Sequence, residues 1–221
     1  MPALKDILVT EAMDWANHPV ARKVEAWRKI KLADTSLVSD APGIAGPFDD
    51  QTMQKAVRGS KNRENCSRLS QAAAQYGSGG IVELGTNLGI SSAYLAIGAS
   101  RAGEHVRIAT GDCSEKRLLI AEDLHKECGI NNVNYVYGFF ENTAPSLFSI
   151  IPTWSLAFID GEHTYDATVH YYDLLRHYSK GRGVLAIFDD IEWSEEMMRA
   201  WRDLSRGADA FEAGGMGFLA L

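Results

Sequence analysis

Ile81-Val82-Glu83-Leu84-Gly85-Thr86-Asn87-Leu88-Gly89-Ile90-Ser91-Ser92 is the stretch on which the reading of this sequence turns. The short apolar run from Ile81 to Leu84 stops at Gly85, and from about residue 90 to 101 the pattern is helical, so a buried strand passes through a glycine turn into a helix. In a doubly wound sheet, the first such turn lies at the carboxyl edge of the strands, where ligands bind. Gly85 and Gly89 let the backbone approach a ligand closely, and a helix start offers free N–H groups to a carboxylate or phosphate. A tight turn that needs glycine for geometry alone is the other reading of the same residues.

Downstream, strands and helices alternate, which is the sign of a parallel sheet covered on both faces. The expected strands are Ile81 to Leu84, Val106 to Thr110, Val133 to Tyr137, Ser155 to Ile159 and Val184 to Phe188. Expected helices fall at about 90–101, 114–128, 165–179 and 194–205. Around Gly214-Gly215, two short apolar runs predict a C-terminal antiparallel hairpin. The fold class is therefore α/β, a Rossmann-like, doubly wound and mostly parallel sheet of seven strands with a helical N-terminal extension.

Upstream, apolar residues at Leu4, Ile7, Leu8, Trp15, Val24, Trp27 and Ile30 suit one or two amphipathic helices broken near His18-Pro19. Residues 39–47 are turn chemistry, and a helical pattern runs from beyond Asp49 to about Tyr76. This divides the chain into an N-terminal helical extension or lid, 1–48, and a main unit, 49–221.

The chain has 221 residues, 46% hydrophobic and 23% charged, the profile of a globular protein with one ordinary core. A net charge of -7 disfavours a nucleic-acid partner, which needs basic surface. No apolar run reaches the roughly 18 residues of a membrane span, and Asp6, Glu11 and Asp14 interrupt any signal-peptide core. Cys66, Cys113 and Cys128 are widely spaced without zinc-ligand spacing. A reduced, cytoplasmic setting is expected, with a homodimer left open.

Glu83 ends the first strand, and Asp112 stands just past the second, where a nucleoside-binding fold places the carboxylate that accepts from both ribose hydroxyls. The spacing around Asn87 and Leu88 does not give Gly-x-Gly-x-x-Gly, and no Tyr-x-x-x-Lys pair occurs, which turns the reading away from dinucleotide dehydrogenases. Strand four ends in Asp160-Gly161-Glu162-His163 and strand five in Asp189-Asp190, on the same edge of a parallel sheet. Asp160, Asp189 and Asp190 should converge there. Three carboxylates at one spot repel unless a cation is present, and oxygen ligands with an incomplete shell suit magnesium. Capping of the following helices is the plainer alternative.

His163 lies in the loop at this edge, and histidine is the side chain type suited to general-base work near neutral pH; a loop histidine bonding a carbonyl is the alternative. His170 and His177 share a helix face at a spacing too wide for one metal, and are read as a surface or packing stripe. Trp193, Trp15 and Trp27 are candidates for the walls of a substrate pocket or for core.

From about Gly80 to Trp201 the sequence resembles the class I S-adenosylmethionine-dependent methyltransferases, Glu83 to Ser91 being similar to their first motif in the form used by small-molecule O-methyltransferases of the catechol type. The resemblance implies S-adenosylmethionine as cofactor. Its methionine end would lie over Gly85, Asn87 and Gly89 with Ser91 near its carboxylate, Glu83, Asp112 and Asp160 close by and Asp112 on the ribose. Phe139 and Phe140 would lie at the adenine edge, with Glu141 toward the exocyclic amine. It further implies magnesium on Asp160, Asp189 and Asp190, chelated by two neighbouring oxygens of a small-molecule substrate. Asp190 stands where the catechol enzymes usually carry asparagine, and His163 where they place a lysine base. Both departures resemble the macrocin-type sugar O-methyltransferases, whose Asp-Gly-x-His signature supplies a ligand and a histidine base. Metal-independent methylation of nitrogen or another atom, and cofactor binding without catalysis, are the alternatives.

Overall fold

The computed structural model describes residues 15–38 and 51–221. The helical pattern expected over residues 1–14 and the turn chemistry of 39–47 lie outside the described residues.

Seven strands form one sheet. Five are parallel: β1 (Ile81–Leu84), β2 (Ile108–Asp112), β3 (Val133–Tyr137), β4 (Leu156–Ile159) and β5 (Leu185–Phe188). β6 (Ala210–Ala213) and β7 (Met216–Ala220) are the expected hairpin, and β7 lies antiparallel beside β5, giving the order β3-β2-β1-β4-β5-β7-β6. Register brings Leu84 opposite both Gly111 and Ile159, so the ends of β1, β2 and β4 are level. Strand order reverses between β1 and β4, and ligands bind at the carboxyl edge of such a switch point.

The helices are α1 (Pro19–Lys31), α2 (Met53–Gly59), α3 (Arg63–Tyr76), α4 (Ile90–Ala102), α5 (Glu115–Cys128), α6 (Phe140–Ile150), α7 (Tyr165–Ser179) and α8 (Glu195–Ser205). Alternate strand residues feed two cores. Val82, Leu84, Ala157, Ile159 and Phe188 pack with Phe148, Trp154 and Trp201 on one face. Ile81, Ile108, Leu156, Phe158 and Ile187 pack with Leu69, Leu95 and Phe218 on the other. α4 is buried on every side through Ala99, because one flank meets the sheet while Ile90, Tyr94 and Ile97 meet Trp15, Ala21 and Val24. A helix sandwiched in this way carries no polar stripe.

Where the chain was expected to break near His18-Pro19, a helix begins: the His18 ring accepts from the Val20 N–H, and Pro19 opens α1, where its missing donor costs nothing. β2 starts two residues later than expected, at Ile108, level with Ile81. α6 was not expected. Pro145 within it lacks the N–H that would reach the carbonyl of Glu141, yet Ala144, Leu147 and Phe148 bury one face and hold the helix. Among the described residues no helix is long and apolar enough to cross a membrane.

Candidate active site

The turn after β1 is fastened from below. The N–H groups of Gly85 and Thr86 both donate to the Gly111 carbonyl at 3.0 Å, and the Asn87 N–H donates to Asp112 Oδ2 at 2.8 Å. Asp112 Oδ1 accepts from the Ser114 N–H at 2.9 Å. Asp112 is buried, which raises its pKa despite these two donors, and each oxygen keeps a lone pair for a further donor. Asn87 takes a left-handed backbone, φ 47°, and its amide donates to Ser60 Oγ at 3.3 Å.

The glycines are required by the packing behind the turn. A β-carbon on Gly85 would lie 1.9 Å from the Asp160 carbonyl oxygen, and one on Gly89 would lie 2.7 Å from the Ala121 β-carbon and 2.8 Å from His125 Nε2. Their missing side chains face protein, so they bring β1's turn against the end of β4 and against α5. His125 bridges Gly89 O at 2.7 Å and the Tyr135 hydroxyl at 2.6 Å, and burial lowers its pKa to about 4, so it is neutral.

Glu83 lies beneath the turn with no exposure at all. Its Oε2 accepts from the hydroxyls of Ser92 and Thr110, while Oε1 has no hydrogen-bond partner among the described residues. Burial pushes its pKa up to about 7, and hydrogen bonds from Ser92, Thr110 and Ser91 pull the other way. Ser91 is thus turned toward Glu83. Thr86 extends the chain of hydroxyls through a 2.6 Å bond to Thr110.

At the ends of β4 and β5 the expected convergence occurs: Asp160, His163, Asp189 and Asp190 each offer a ligand atom, all within 4.8 Å of one another. His163 Nε2 lies 3.5 Å from Asp160 Oδ1 and 3.7 Å from Asp190 Oδ2, and it is buried without a hydrogen-bond partner among the described residues. Asp190 has φ 50°. Asn and Asp are the residues other than glycine that best tolerate this region, so the backbone here suits an aspartate.

Lys61, in the connection between α2 and α3, was not anticipated at this site. Its ammonium pairs with Asp189 Oδ2 and, at 2.9 Å, with Asp190 Oδ1. Burial alone would lower the lysine's pKa; the charges of Asp189 and Asp160 and the bonds to both aspartates outweigh it and hold the ammonium above its ordinary value. Asp189 is buried, and burial together with the Asp160 charge pushes its carboxyl well above the usual range against the pull of Lys61. Asp189 Oδ1 has no hydrogen-bond partner among the described residues. Three carboxyl groups against one ammonium, the oxygen-rich ligands and the two orphaned buried atoms fit one hard divalent cation.

Trp193 is 72% exposed, its ring centroid 6.4 Å from that of His163, at the rim of the cluster. Trp15 is core, with its indole N–H donating to Gln71, and Trp27 packs partly buried against the same cluster. Phe140 packs edge-on to Tyr171 and against Gly161, whereas Phe139 stays exposed at the start of α6 beside exposed Glu141. His170 and His177 are exposed on α7, the expected surface stripe.

Comparison with known proteins agrees with this geometry. Residues 82–191, about half of the chain, match the family described as a methyltransferase domain. The cofactor-bound protein Rv0187 of MTB is 18% identical, with 100% of this chain and 97% of that one covered at a TM-score of 0.66. The O-methyltransferase of Bacillus cereus in complex with SAH is 18% identical, covering 90% of this chain and 100% of that one at 0.57. TomG of Streptomyces achromogenes, an O-methyltransferase solved with SAM, is 17% identical, covering 93% and 89% at 0.61. No curated protein matches the sequence. The chain belongs to the class I S-adenosylmethionine-dependent methyltransferases.

Proposed function

We propose that this enzyme methylates a hydroxyl oxygen of a small molecule, using a magnesium-class ion and His163 as base. The observation that carries the reading is the meeting of Asp160, His163, Asp189 and Asp190 beside the Gly85–Asn87 turn, with Asp189 Oδ1 and His163 Nε2 buried and unpartnered. The B. cereus and Streptomyces relatives, both O-methyltransferases, support the choice of oxygen.

In this reading Asp112 accepts from the ribose hydroxyls, and the turn after β1 receives the methionine end of the cofactor. Asp160, Asp189 and Asp190 would hold the cation, which would supply stabilisation of negative charge on a hydroxyl oxygen. The methyl group leaves the sulfonium with its bonding pair left on sulfur, the oxygen supplies the new bond, and the hydroxyl proton passes to His163. Carboxylates beside the ring favour the imidazolium so formed. The protein's other contribution is orientation, since an in-line transfer needs donor and acceptor held at near-attack distance. Trp193 walls the acceptor side. The segment 1–48 extends the methyltransferase unit 49–221, with α1 packed on α4. Cys66, Cys113 and Cys128 form no disulfide among the described residues, which suits a cytoplasmic setting.

The test is S-adenosylhomocysteine release over a panel of vicinal diols, catechols and amines, with and without EDTA. Turnover on a two-oxygen acceptor, abolished by EDTA and restored by magnesium or manganese, is expected. Turnover indifferent to chelator would remove the metal from the mechanism and leave Lys61 as the cation of the acid pair.

A further inference from the structure

We infer that Lys61 is a built-in counter-cation of the metal site: it holds the Asp189–Asp190 pair together in the metal-free protein and tunes the site to a divalent ion. The metal part of this inference rests on the reading above.

Lys61 reaches the site across 129 residues of sequence, from outside the sheet. Its side chain is only 10% exposed. The backbone that carries it is pinned: Arg28 of α1 donates to the Lys61 carbonyl at 2.8 Å, Cys66 of α3 donates to the same oxygen, and Asn62 caps α3 by accepting from the Asn65 N–H at 2.9 Å. On the other side Ser60 donates to the Ala56 carbonyl at 2.9 Å. A long flexible lysine on so fixed a base is placed, and its ammonium goes to one oxygen of each aspartate. Asp190 Oδ2 then faces His163, and Asp189 Oδ1 has no protein donor.

The charge count gives this placement a purpose. Asp189 is buried to 2% exposure, and a buried carboxylate without a partner strongly destabilises a fold. Counted formally, with all three carboxyl groups ionised, the site with Lys61 balances to -2, which one divalent ion cancels; without the ammonium the count is -3, which suits a trivalent ion and binds any cation harder. A resident ammonium therefore keeps the acids assembled between turnovers and restrains metal affinity, and so makes the ion exchangeable.

The experiment compares wild type, Lys61→Met, Lys61→Arg, Asp189→Asn and the Lys61→Met/Asp189→Asn double variant. Manganese and terbium dissociation constants are measured by calorimetry and luminescence, and melting temperature in EDTA. Lys61→Met should bind manganese at least tenfold more tightly and gain more for terbium than for manganese, while Lys61→Arg stays within about threefold of wild type. In EDTA, Lys61→Met should melt lower, and the double variant should recover to the level of Asp189→Asn alone. Equal manganese affinity in wild type and Lys61→Met would overturn the inference, as would additive melting losses in the double variant, which folds with the buried charge removed. Absence of manganese binding in every protein would instead overturn the metal reading, and the EDTA series would still decide whether Lys61 serves Asp189.

Discussion

Glu83→Gln isolates the buried carboxyl beneath the turn after β1. Glu83 is fully buried, and burial raises its pKa from an ordinary 4.5 to about 7. At about 1.4 kcal/mol per pH unit, that gap is worth about 3 kcal/mol. Because the folded value is the higher one, the contribution to stability is complete below pH 4.5 and is lost as the pH rises through 7. Glutamine keeps an oxygen for the Ser92 and Thr110 hydroxyls and puts a neutral amide where Oε1 already lacks a partner, so it mimics the protonated acid. The variant's advantage over wild type should widen from under about 1 kcal/mol at pH 5 to about 3 kcal/mol at pH 8, the latter about 6–12 °C in melting temperature for a protein of this size. Melting curves of both proteins across pH 5 to 8 are the assay. Parallel curves, with no widening gap above pH 6, would refute the claim that Glu83 folds in protonated form.

Three further outcomes are expected. Asp112→Asn should bind S-adenosylmethionine about 10- to 100-fold more weakly by calorimetric titration, the loss of a charge-assisted acceptor; unchanged affinity would sink the ribose assignment. His163→Ala should lower turnover about 100- to 10,000-fold with cofactor affinity nearly unchanged, whereas exposed His170→Ala should do little. Gly85→Ala should destabilise by about 2–4 kcal/mol, since its β-carbon meets the Asp160 carbonyl at 1.9 Å, while Gly129→Ala, with φ 79° and open space, should cost only about 1 kcal/mol. Denaturant melts of the two variants check this contrast.

Period and turn chemistry carried most of the fold. β1 has the bounds its apolar run suggested, because a strand buried on both faces has little freedom in sequence; β3, at the sheet's edge, and the Gly214-Gly215 hairpin also lie where their runs implied. α6 was hidden by Asn142, Thr143 and Pro145, weak helix formers whose local preference yields to the burial of Leu147 and Phe148. The four acid and histidine members of the cluster were legible because parallel topology puts strand ends on one edge. Lys61 was not: in Ser60-Lys61-Asn62-Arg63 it reads as a solvated charge, and only the three-dimensional path of the α2–α3 connection brings it to Asp189. Nor does a sequence tell which side of a glycine is crowded. Gly85 and Gly89 were read toward a ligand, and their crowded sides face Asp160 and α5.

The contact between Gly85 and Asp160 bears on how an enzyme of this design can diversify. Main chain meets main chain there, with Asp160 N also donating to the Leu84 carbonyl at 2.8 Å, so the turn after β1, to which the proposed function assigns the methyl donor, and the first acid of the cluster form one rigid piece. The reach from donor to acceptor is written in backbone, where side-chain substitution cannot lengthen or shorten it. The rim has no such constraint: Trp193 is an exposed side chain whose replacement leaves both loops in place. If the site works as proposed, new acceptors can be recruited at the rim while the transfer geometry is inherited unchanged, and selection for a different substrate in the laboratory should begin at Trp193.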